Sequence, residues 1–171
     1  IRCQSDRLLP ETLVEADGNE DTRTGVTSVF DGPLPTFRSF ADPASELEAL
    51  LKWVRARLSD DGVPASELAV LLRNVDDVER YSEALAVEEV PVMLMHDAKG
   101  AEFRAVAIGA LNDGILPDEK RLLAARDEAQ LDEVMNTERH LLYVAATRAR
   151  DHLWMSGVEP VSEFLVDLLG D

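Results

Sequence analysis

The sequence predicts an α/β fold in which a mainly parallel sheet is covered by helices on both faces. Short continuous apolar runs, Leu68–Leu72 (LAVLL) and Ala105–Leu111 (AVAIGAL), are typical of strands that are buried on both faces of a parallel sheet. Segments with apolar residues at helical spacing alternate with these runs, and such alternation favours parallel strand pairing. With 171 residues, 46% of them hydrophobic, the chain is long enough for one core of this kind.

The N-terminal part combines a weakly patterned segment with a clear strand and helix. We expect residues 1–34 to be loosely structured, with a short helix allowed near Leu8–Ala16. Thr36–Phe40 is rich in β-forming residues and is predicted to be a strand. Asp42-Pro43 predicts a helix start, because a capping side chain precedes proline at the first helical position. The buried face of that helix is expected to consist of Leu47, Leu51, Val54 and Leu58.

The remaining elements continue the alternation of strands and helices. Asn74 is placed to cap a helix that follows the run Leu68–Leu72. A polar loop, His96–Glu102, connects two strands that are predicted to be buried. The other predicted elements are a buried strand over Val90–Met95, a loop over Asn112–Lys120, a long helix over Glu128–Arg148, a strand over Leu153–Ser156 and a helix over Val161–Leu169.

Composition limits the possible partners and sites. Asp and Glu number 34 against 17 Lys and Arg, so the formal net charge is −17. A field of that sign repels phosphate, and any contact with nucleic acid must use a few local cations or a neighbouring domain. The single cysteine, Cys3, excludes an internal disulfide and fits a cytoplasmic setting. No apolar run reaches about 18 residues, so we expect no membrane span.

Several common chemical motifs are absent. None of the nine glycines belongs to G-x-x-x-x-G-K-[ST], so the chain has no P-loop of its own. The three histidines lack the spacing of zinc ligands, and we expect no metal site. Because the chain begins at Ile1 and not at Met, we expect it to be a piece of a longer protein.

The polar loop His96–Glu102 is the first candidate site. Parallel sheets bind ligands beyond the carboxyl ends of their strands, and this loop follows such a strand in the predicted order. Lys99 and the backbone amides around Gly100 are suited to a phosphate, and the Glu102 carboxylate is suited to sugar hydroxyls. Spacing alone favours an ordinary polar connection with solvated charges.

Two arginines are further candidates. Arg148 falls in line with the apolar stripe of the predicted long helix, where a cation is costly unless it is paired. Three interpretations remain open at this point. The guanidinium would contact an anion such as a transferring phosphoryl group, extend into solvent, or pair with a carboxylate of the chain. Arg150 faces the opposite way and is expected to be exposed. Arg73 follows the run Leu68–Leu72 directly, where it would contact a phosphate or simply end a strand.

Two longer segments carry a family resemblance. HDAKGAEFRAVAIGALNDGILP, residues 96–117, resembles motif V of the UvrD/Rep/PcrA helicases, whose usual form is T-x-H-x-x-K-G-L-E-F, then an apolar strand and G-x-x-P. ERHLLYVAATRARDHLWMS, residues 138–156, resembles motif VI of that family, usually E-R-R-L-x-Y-V-x-x-T-R-A. The resemblance is strong over 92–156 and weak over 1–45. It implies a RecA-like fold of the P-loop NTPase type that lacks its own P-loop. Residues 1–171 would then form a single domain, the second RecA-like (2A) motor domain of a helicase.

The resemblance also implies a nucleotide site shared between two domains. In this family ATP binds between two RecA-like domains, and the first of them carries the P-loop and holds Mg²⁺. The first domain of the same chain would then be the main partner, and the present chain alone would not hydrolyse ATP. Arg148 would stabilise charge on the γ-phosphate, with Arg7 as a weaker second candidate. Glu102 would hydrogen-bond the ribose, beside Gly100.

A second set of residues is implied to face single-stranded DNA. His96, Arg73 and Asn74 belong to this set, and the loop around Lys99 would contact DNA and couple the two sites. Leu94 stands where the family usually has a DNA-contacting threonine, which weakens that contact. Asp6 stands where the family usually has a tyrosine that stacks on the base.

Further departures leave two alternative functions open. Ala101 replaces a usual leucine, which we expect to be a packing change. Most relatives carry a large helical insertion before motif V, and the interval from Leu85 to Met93 is too short to contain it. The chain is therefore expected to translocate without strong unwinding. The alternatives are a UvrD-like ATPase that acts mainly on a protein partner, which the acidic surface favours, and a purely structural RecA-like domain.

Overall fold

The structure is a computed structural model that describes residues 33–169 and the backbone of two short strands that precede them. These strands are β1, Thr12–Val14, and β2, Glu20–Thr22, and they pair antiparallel. The short helix allowed near Leu8–Ala16 is therefore wrong for the residues of β1. The rest of the segment 1–32 lies outside the described residues, so its expected loose structure stays a prediction.

A parallel sheet of five strands forms the centre of the fold. The strands are β3, Thr36–Phe40; β4, Leu68–Leu72; β5, Val92–Leu94; β6, Phe103–Ile108; and β7, Ala149–Val158. Their order across the sheet is β3-β7-β6-β4-β5, and each neighbouring pair is parallel. The predicted parallel α/β architecture is confirmed.

Helices cover both faces of this sheet. They are α1, Pro43–Ser59; α2, Val75–Ala84; α3, Glu119–Ala124; α4, Glu128–Ala146; and α5, Glu163–Leu169. Side chains of α1 and α2 share one core cluster with alternate residues of the strands, and side chains of α4 and α5 share the other. No helix within the described part of the chain has the length and apolar character that a membrane crossing needs.

Both predicted helix caps are confirmed. Asp42 Oδ1 accepts hydrogen bonds from the backbone N–H groups of Ala44 and Ser45, and Pro43 occupies the first position of α1. The Ser45 hydroxyl also donates to Asp42, and these bonds hold the pKa of the Asp42 carboxyl below its usual range. Asn74 Oδ1 accepts from the N–H of Asp77 at 2.8 Å and thereby starts α2.

The expected buried face of α1 is partly wrong. Val54 is buried as predicted, but its neighbours on the buried face are Leu50 and the charged Glu46. The other predicted members, Leu47, Leu51 and Leu58, are only half-buried. The face is rotated because Glu46 has specific partners inside the protein, which a count of apolar residues does not reveal.

Three strands differ from their predicted extent or environment, and the first is the strand predicted over Ala105–Leu111, which is β6 at Phe103–Ile108. The strand predicted as buried over Val90–Met95 is the shorter β5, which is half-buried because it pairs only with β4 at the edge of the sheet. The strand predicted over Leu153–Ser156 is the ten-residue β7. The prediction was too short because β7 begins with charged residues, Arg150 and Asp151, and a search for apolar runs does not include them.

Glu46 ties α1 to the carboxyl ends of two strands. Its side chain has 0% exposure, and its Oε1 atom accepts hydrogen bonds from the Ala110 N–H at 2.9 Å and the Ser156 hydroxyl at 2.7 Å. Ala110 follows β6 and has a positive φ of 56°, which is unusual for a residue other than glycine. The carboxylate therefore fixes a strained turn at the point where the chain leaves the sheet.

Replacing Glu46 tests this anchor. Glu46→Ala leaves the Ala110 N–H and the Ser156 hydroxyl without an acceptor in the core, and we expect it to lower the free energy of unfolding by about 2–4 kcal/mol. Glu46→Gln keeps an acceptor oxygen and should cost less than half as much. Urea denaturation of both variants measures the difference, and equal losses would contradict the anchor.

Candidate functional site

The loop His96–Glu102 runs from one edge of the sheet to the other. β5 ends beside Leu72 at the carboxyl edge, whereas β6 begins at Phe103, which is paired with the first residue of β7 at the amino edge. Between them, Met95–Ala98 forms a 3₁₀ turn whose ends pack into the core beneath α4. The expectation that the whole loop lies beyond the carboxyl ends of the strands is therefore wrong for Glu102, because the crossover delivers it to the amino edge.

The second half of this loop depends on a glycine. Gly100 has a φ of +84°, a conformation that side chains rarely adopt, and no atom surrounds the place where a Cβ would lie. Lys99 and Glu102 are exposed on either side of it. The glycine thus allows a turn that presents both charged side chains to solvent.

Arg148 was predicted to lie on the apolar face of α4. In the structure it lies just beyond the end of this helix, so that prediction is wrong. The helix ends at Ala146, and Thr147 is its C-terminal cap. The Arg148 guanidinium donates three hydrogen bonds, all to uncharged oxygens: Nε to the Val144 carbonyl at 3.0 Å, Nη1 to the Ala101 carbonyl at 3.2 Å and Nη2 to the Thr147 hydroxyl at 3.3 Å. The side chain is half-buried and is held in place without a neutralising carboxylate.

Arg148 also joins the two motif-like segments of the sequence. Its backbone carbonyl accepts from the N–H of Phe103 at 2.9 Å, while its side chain donates to Ala101. Glu102 stands between these two bonded residues. Two residues for which the resemblance implies nucleotide contacts, Glu102 and Arg148, are thereby brought to the same edge of the sheet.

The lack of a carboxylate partner sets Arg148 apart from comparable arginines. Among the residues that the structure describes, every other half-buried arginine forms an ion pair with Asp or Glu; these are Arg57, Arg73, Arg80, Arg104 and Arg139. Arg148 is in none of the ion pairs of the described part of the chain. Its charge is therefore not neutralised by any carboxylate of the described residues.

A second cationic group lies at the same edge. Arg104 Nε and Arg150 Nε bind the two oxygens of Asp151 at 2.9 and 3.0 Å. Hydrogen bonds from Arg150 and then Arg104 hold the pKa of Asp151 below its usual range. Arg150 is 65% exposed, as predicted. The network itself was missed, because its members are charged residues at the starts of neighbouring strands and form no recognisable motif.

At the carboxyl edge, Arg73 belongs to a partly buried ion network around the fully buried Glu138. Its Nε and Nη2 bind the two oxygens of Glu138 at 2.8 and 2.9 Å, and Nη2 lies 3.5 Å from Asp118. Arg121 also donates to Glu138, whose side chain has 0% exposure. The hydrogen bonds that Arg73 donates to Glu138 are the main reason that the pKa of Arg73 is raised. The sequence indicates no such role for Glu138, although an acid within an otherwise apolar helix face needs a partner.

The other residues predicted to face DNA do not share contacts. Asn74 uses its side-chain oxygen to cap α2. His96 is exposed and lies 3.5 Å from Asp97, and Lys99 is exposed in the part of the loop that runs to the amino edge. No hydrogen bond or ion pair joins these three to one another or to Arg73 within the described ranges. Their DNA contacts stay predictions, and Arg7 and Asp6 lie outside the described residues.

Comparison with known proteins decides the family. Residues 41–159 match the family model of the UvrD-like helicase C-terminal domain. The chain belongs to this family. The match spans α1 to the end of β7 and therefore contains both edges described above. Arg148, Glu102 and the Arg73–Glu138 network all lie within the matched residues.

Individual relatives agree with this assignment. The chain is 46% identical over 89 residues to the putative ATP-dependent DNA helicase YjcD of Bacillus subtilis strain 168, covering 50% of the chain and 11% of that protein. It is 34% identical over 146 residues to the ATP-dependent DNA helicase UvrD2 of Mycobacterium tuberculosis H37Rv, covering 80% of the chain and 20% of the relative. The chain thus spans a fifth or less of the length of these relatives.

A solved structure confirms the RecA-like helicase fold. The C-terminal domain of a possible DNA helicase from Lactobacillus plantarum WCFS1 superimposes with a TM-score of 0.58 at 19% identity. The superposition covers 80% of this chain and 81% of the other. At that identity the likeness supports the fold alone.

The buried network gives a stability prediction. Glu138→Ala leaves Arg73 and Arg121 without their shared partner, so we expect a loss of about 3–5 kcal/mol in the free energy of unfolding. A matched control is Asp167→Ala, which removes the half-exposed partner of Arg139 and should cost below about 1 kcal/mol. Adding Arg73→Ala to Glu138→Ala should cost less than the sum of the single changes. Additive losses in urea denaturation would show that the residues act separately.

Proposed function

We propose that this chain is the second RecA-like motor domain of an ATP-dependent DNA helicase or translocase. In this proposal it completes an ATP site whose other half, with the P-loop and Mg²⁺, belongs to a first RecA-like domain of the same protein. The chain alone is expected to be inactive, because its sequence contains no P-loop. Family membership and the names of the relatives support the proposal.

The unpaired charge of Arg148 is the observation that carries the proposal. A guanidinium has five N–H donors, and three of those of Arg148 are used within the described residues. The remaining two are suited to the oxygens of a phosphate, and no carboxylate in the described part of the domain competes with that phosphate. When the ATP cleft closes, Arg148 would stabilise the charge of the transferring phosphoryl group, an effect of about 10³–10⁵ in rate where such arginines have been measured.

Glu102 and Gly100 would form the sugar side of the same site. Glu102 is exposed, lies between the two residues that bond to Arg148, and can accept hydrogen bonds from ribose hydroxyls. The positive φ of Gly100 shapes the turn that presents it. Opening and closing of the cleft with each ATP would then be a hinge motion between two domains.

The carboxyl edge would face single-stranded DNA. Arg73 retains Nη1, which makes no hydrogen bond among the described residues, and Asn74 retains its side-chain N–H₂ group. His96 and Lys99 are exposed on the loop that leads from this edge to the nucleotide side. Because the net charge is −17, these few cations would bind DNA only together with another domain.

ATP hydrolysis by the complete protein tests the motor. We expect Arg148→Ala to lower kcat by about 10²-fold or more while nucleotide affinity changes little, because the arginine acts mainly in the transition state. Arg150→Ala is the matched control: it removes an equal charge two residues away that is 65% exposed, and kcat should stay within about 3-fold. Equal effects of the two substitutions would count against the proposed role of Arg148.

A second candidate function is a UvrD-like ATPase that acts mainly on a protein partner. The short connection between α2 and β5, residues 85–91, favours it, because it leaves no room for the insertion that most relatives carry. Stimulation of ATP hydrolysis by single-stranded DNA distinguishes the two functions. The motor proposal predicts such stimulation, movement along single strands and weak separation of duplex DNA. Turnover that is indifferent to DNA would favour the protein-directed ATPase, and no turnover would favour a structural domain.

A further inference from the structure

Among the described residues, only one of the three groups that accept hydrogen bonds from the Arg148 guanidinium belongs to a side chain. The three acceptors are the backbone carbonyls of Val144 and Ala101 and the side-chain hydroxyl of Thr147. The two carbonyls belong to the backbone, so the amino-acid sequence controls them only indirectly. Thr147 is therefore the acceptor through which a single substitution can change the orientation of Arg148.

The Thr147 hydroxyl is itself fixed. Its Oγ1 atom donates to the Val144 carbonyl at 2.8 Å, the same carbonyl that accepts from Arg148 Nε at 3.0 Å. The backbone N–H of Thr147 donates to the Tyr143 carbonyl at 2.9 Å, and the residue is half-buried at the end of α4. With its proton committed to Val144, the hydroxyl turns a lone pair towards Arg148 Nη2 at 3.3 Å.

We propose that Thr147 is a positioning residue for Arg148. This inference rests on the proposed function, because it assumes that Arg148 acts on the phosphoryl group of ATP. Arginine has a long flexible stem, and a guanidinium without a carboxylate partner has few restraints on its orientation. By accepting from Nη2 while Val144 and Ala101 accept from the other nitrogens, Thr147 fixes the plane of the guanidinium before the nucleotide cleft closes. Fixed orientation raises the rate because less ordering remains for the transition state.

The first test compares two substitutions in the complete protein. Thr147→Val keeps the shape of the side chain and removes the hydroxyl, and we expect kcat for ATP hydrolysis to fall about 10-fold with KM changed less than about 2-fold. Thr147→Ser retains the hydroxyl and should restore kcat to within about 3-fold of the native protein. A Thr147→Val protein with native kcat, or a Thr147→Ser protein as slow as Thr147→Val, overturns the proposal.

The second test separates positioning from a general structural effect. Affinity for ADP with aluminium fluoride, which imitates the transferring phosphoryl group, should fall about 10-fold in Thr147→Val, whereas affinity for ADP alone should not change. In an Arg148→Ala background, Thr147→Val should have no further effect on either affinity, because its target is gone. Equal weakening of both ligands, or a further loss in that background, shows that Thr147 acts elsewhere.

These measurements also distinguish failure of this inference from failure of the proposed function. If Arg148→Ala leaves both kcat and affinity for the aluminium fluoride complex unchanged, Arg148 has no role in catalysis. In that case the proposed role of Arg148 and the positioning role of Thr147 are both wrong. If Arg148→Ala is severe while Thr147→Val behaves as the native protein, the proposed function stands and the positioning role is wrong.

Discussion

The amino edge of the domain depends on two hydrogen bonds between the end of α4 and the start of β6. The Arg148 carbonyl accepts from Phe103, and the Arg148 side chain donates to Ala101. These bonds join segments that are far apart in the sequence and place Glu102 between them. Neither segment forms the proposed nucleotide-facing surface alone, because one is a helix end and the other is a loop that crosses the sheet.

The acidity of the chain makes the lack of a carboxylate partner for Arg148 unusual. In a chain with a net charge of −17, carboxylates are abundant, and we expect a half-buried arginine to form an ion pair with one of them. The other half-buried arginines among the described residues all form such ion pairs. Within the described part of the chain, Arg148 forms no ion pair because its hydrogen-bond acceptors are two backbone carbonyls and a hydroxyl. Carbonyls at the end of a helix carry partial negative charge, which stabilises a cation without neutralising it. For the proposed binding of an anion, the local environment of Arg148 therefore matters more than the overall charge of the chain.

The architecture was predictable because most of its signals are local. Continuous apolar runs identified β4 and β6, and cap residues located the starts of α1 and α2. The errors have a common cause, since each depends on a tertiary contact. The buried face of α1 turns towards Ala110 and Ser156 because Glu46 binds them, and the length of β7 is set by pairing with β6 and β3.

The sequence supplied hypotheses for the residues of the candidate site but not their geometry. Resemblance to helicase motifs singled out Arg148 and Glu102, yet the carboxyl-edge rule placed the loop of Glu102 at the wrong edge. The rule does not hold for Glu102 because the crossover from β5 to β6 is short, and its last residue directly precedes β6 at the amino edge. Thr147 and Glu138 gave no signal of their roles, because a hydroxyl or a carboxylate acquires its role only from neighbours that the fold supplies.

The helix α4 links the two edges that the proposed function assigns to DNA and nucleotide. Glu138 binds Arg73 at the carboxyl edge, and Arg148 follows the last turn of the same helix at the amino edge. At a rise of about 1.5 Å per residue, α4 runs about 12 Å from Glu138 to its last residue, Ala146, and Arg148 follows two residues later. Breaking the ion pair between Glu138 of α4 and Arg73 after β4 would be costly, so we expect a shift of α4 to move Arg73 as well. In the proposed motor, a phosphate that pulls on Arg148 would therefore transmit force through α4 to the strand end that carries Arg73.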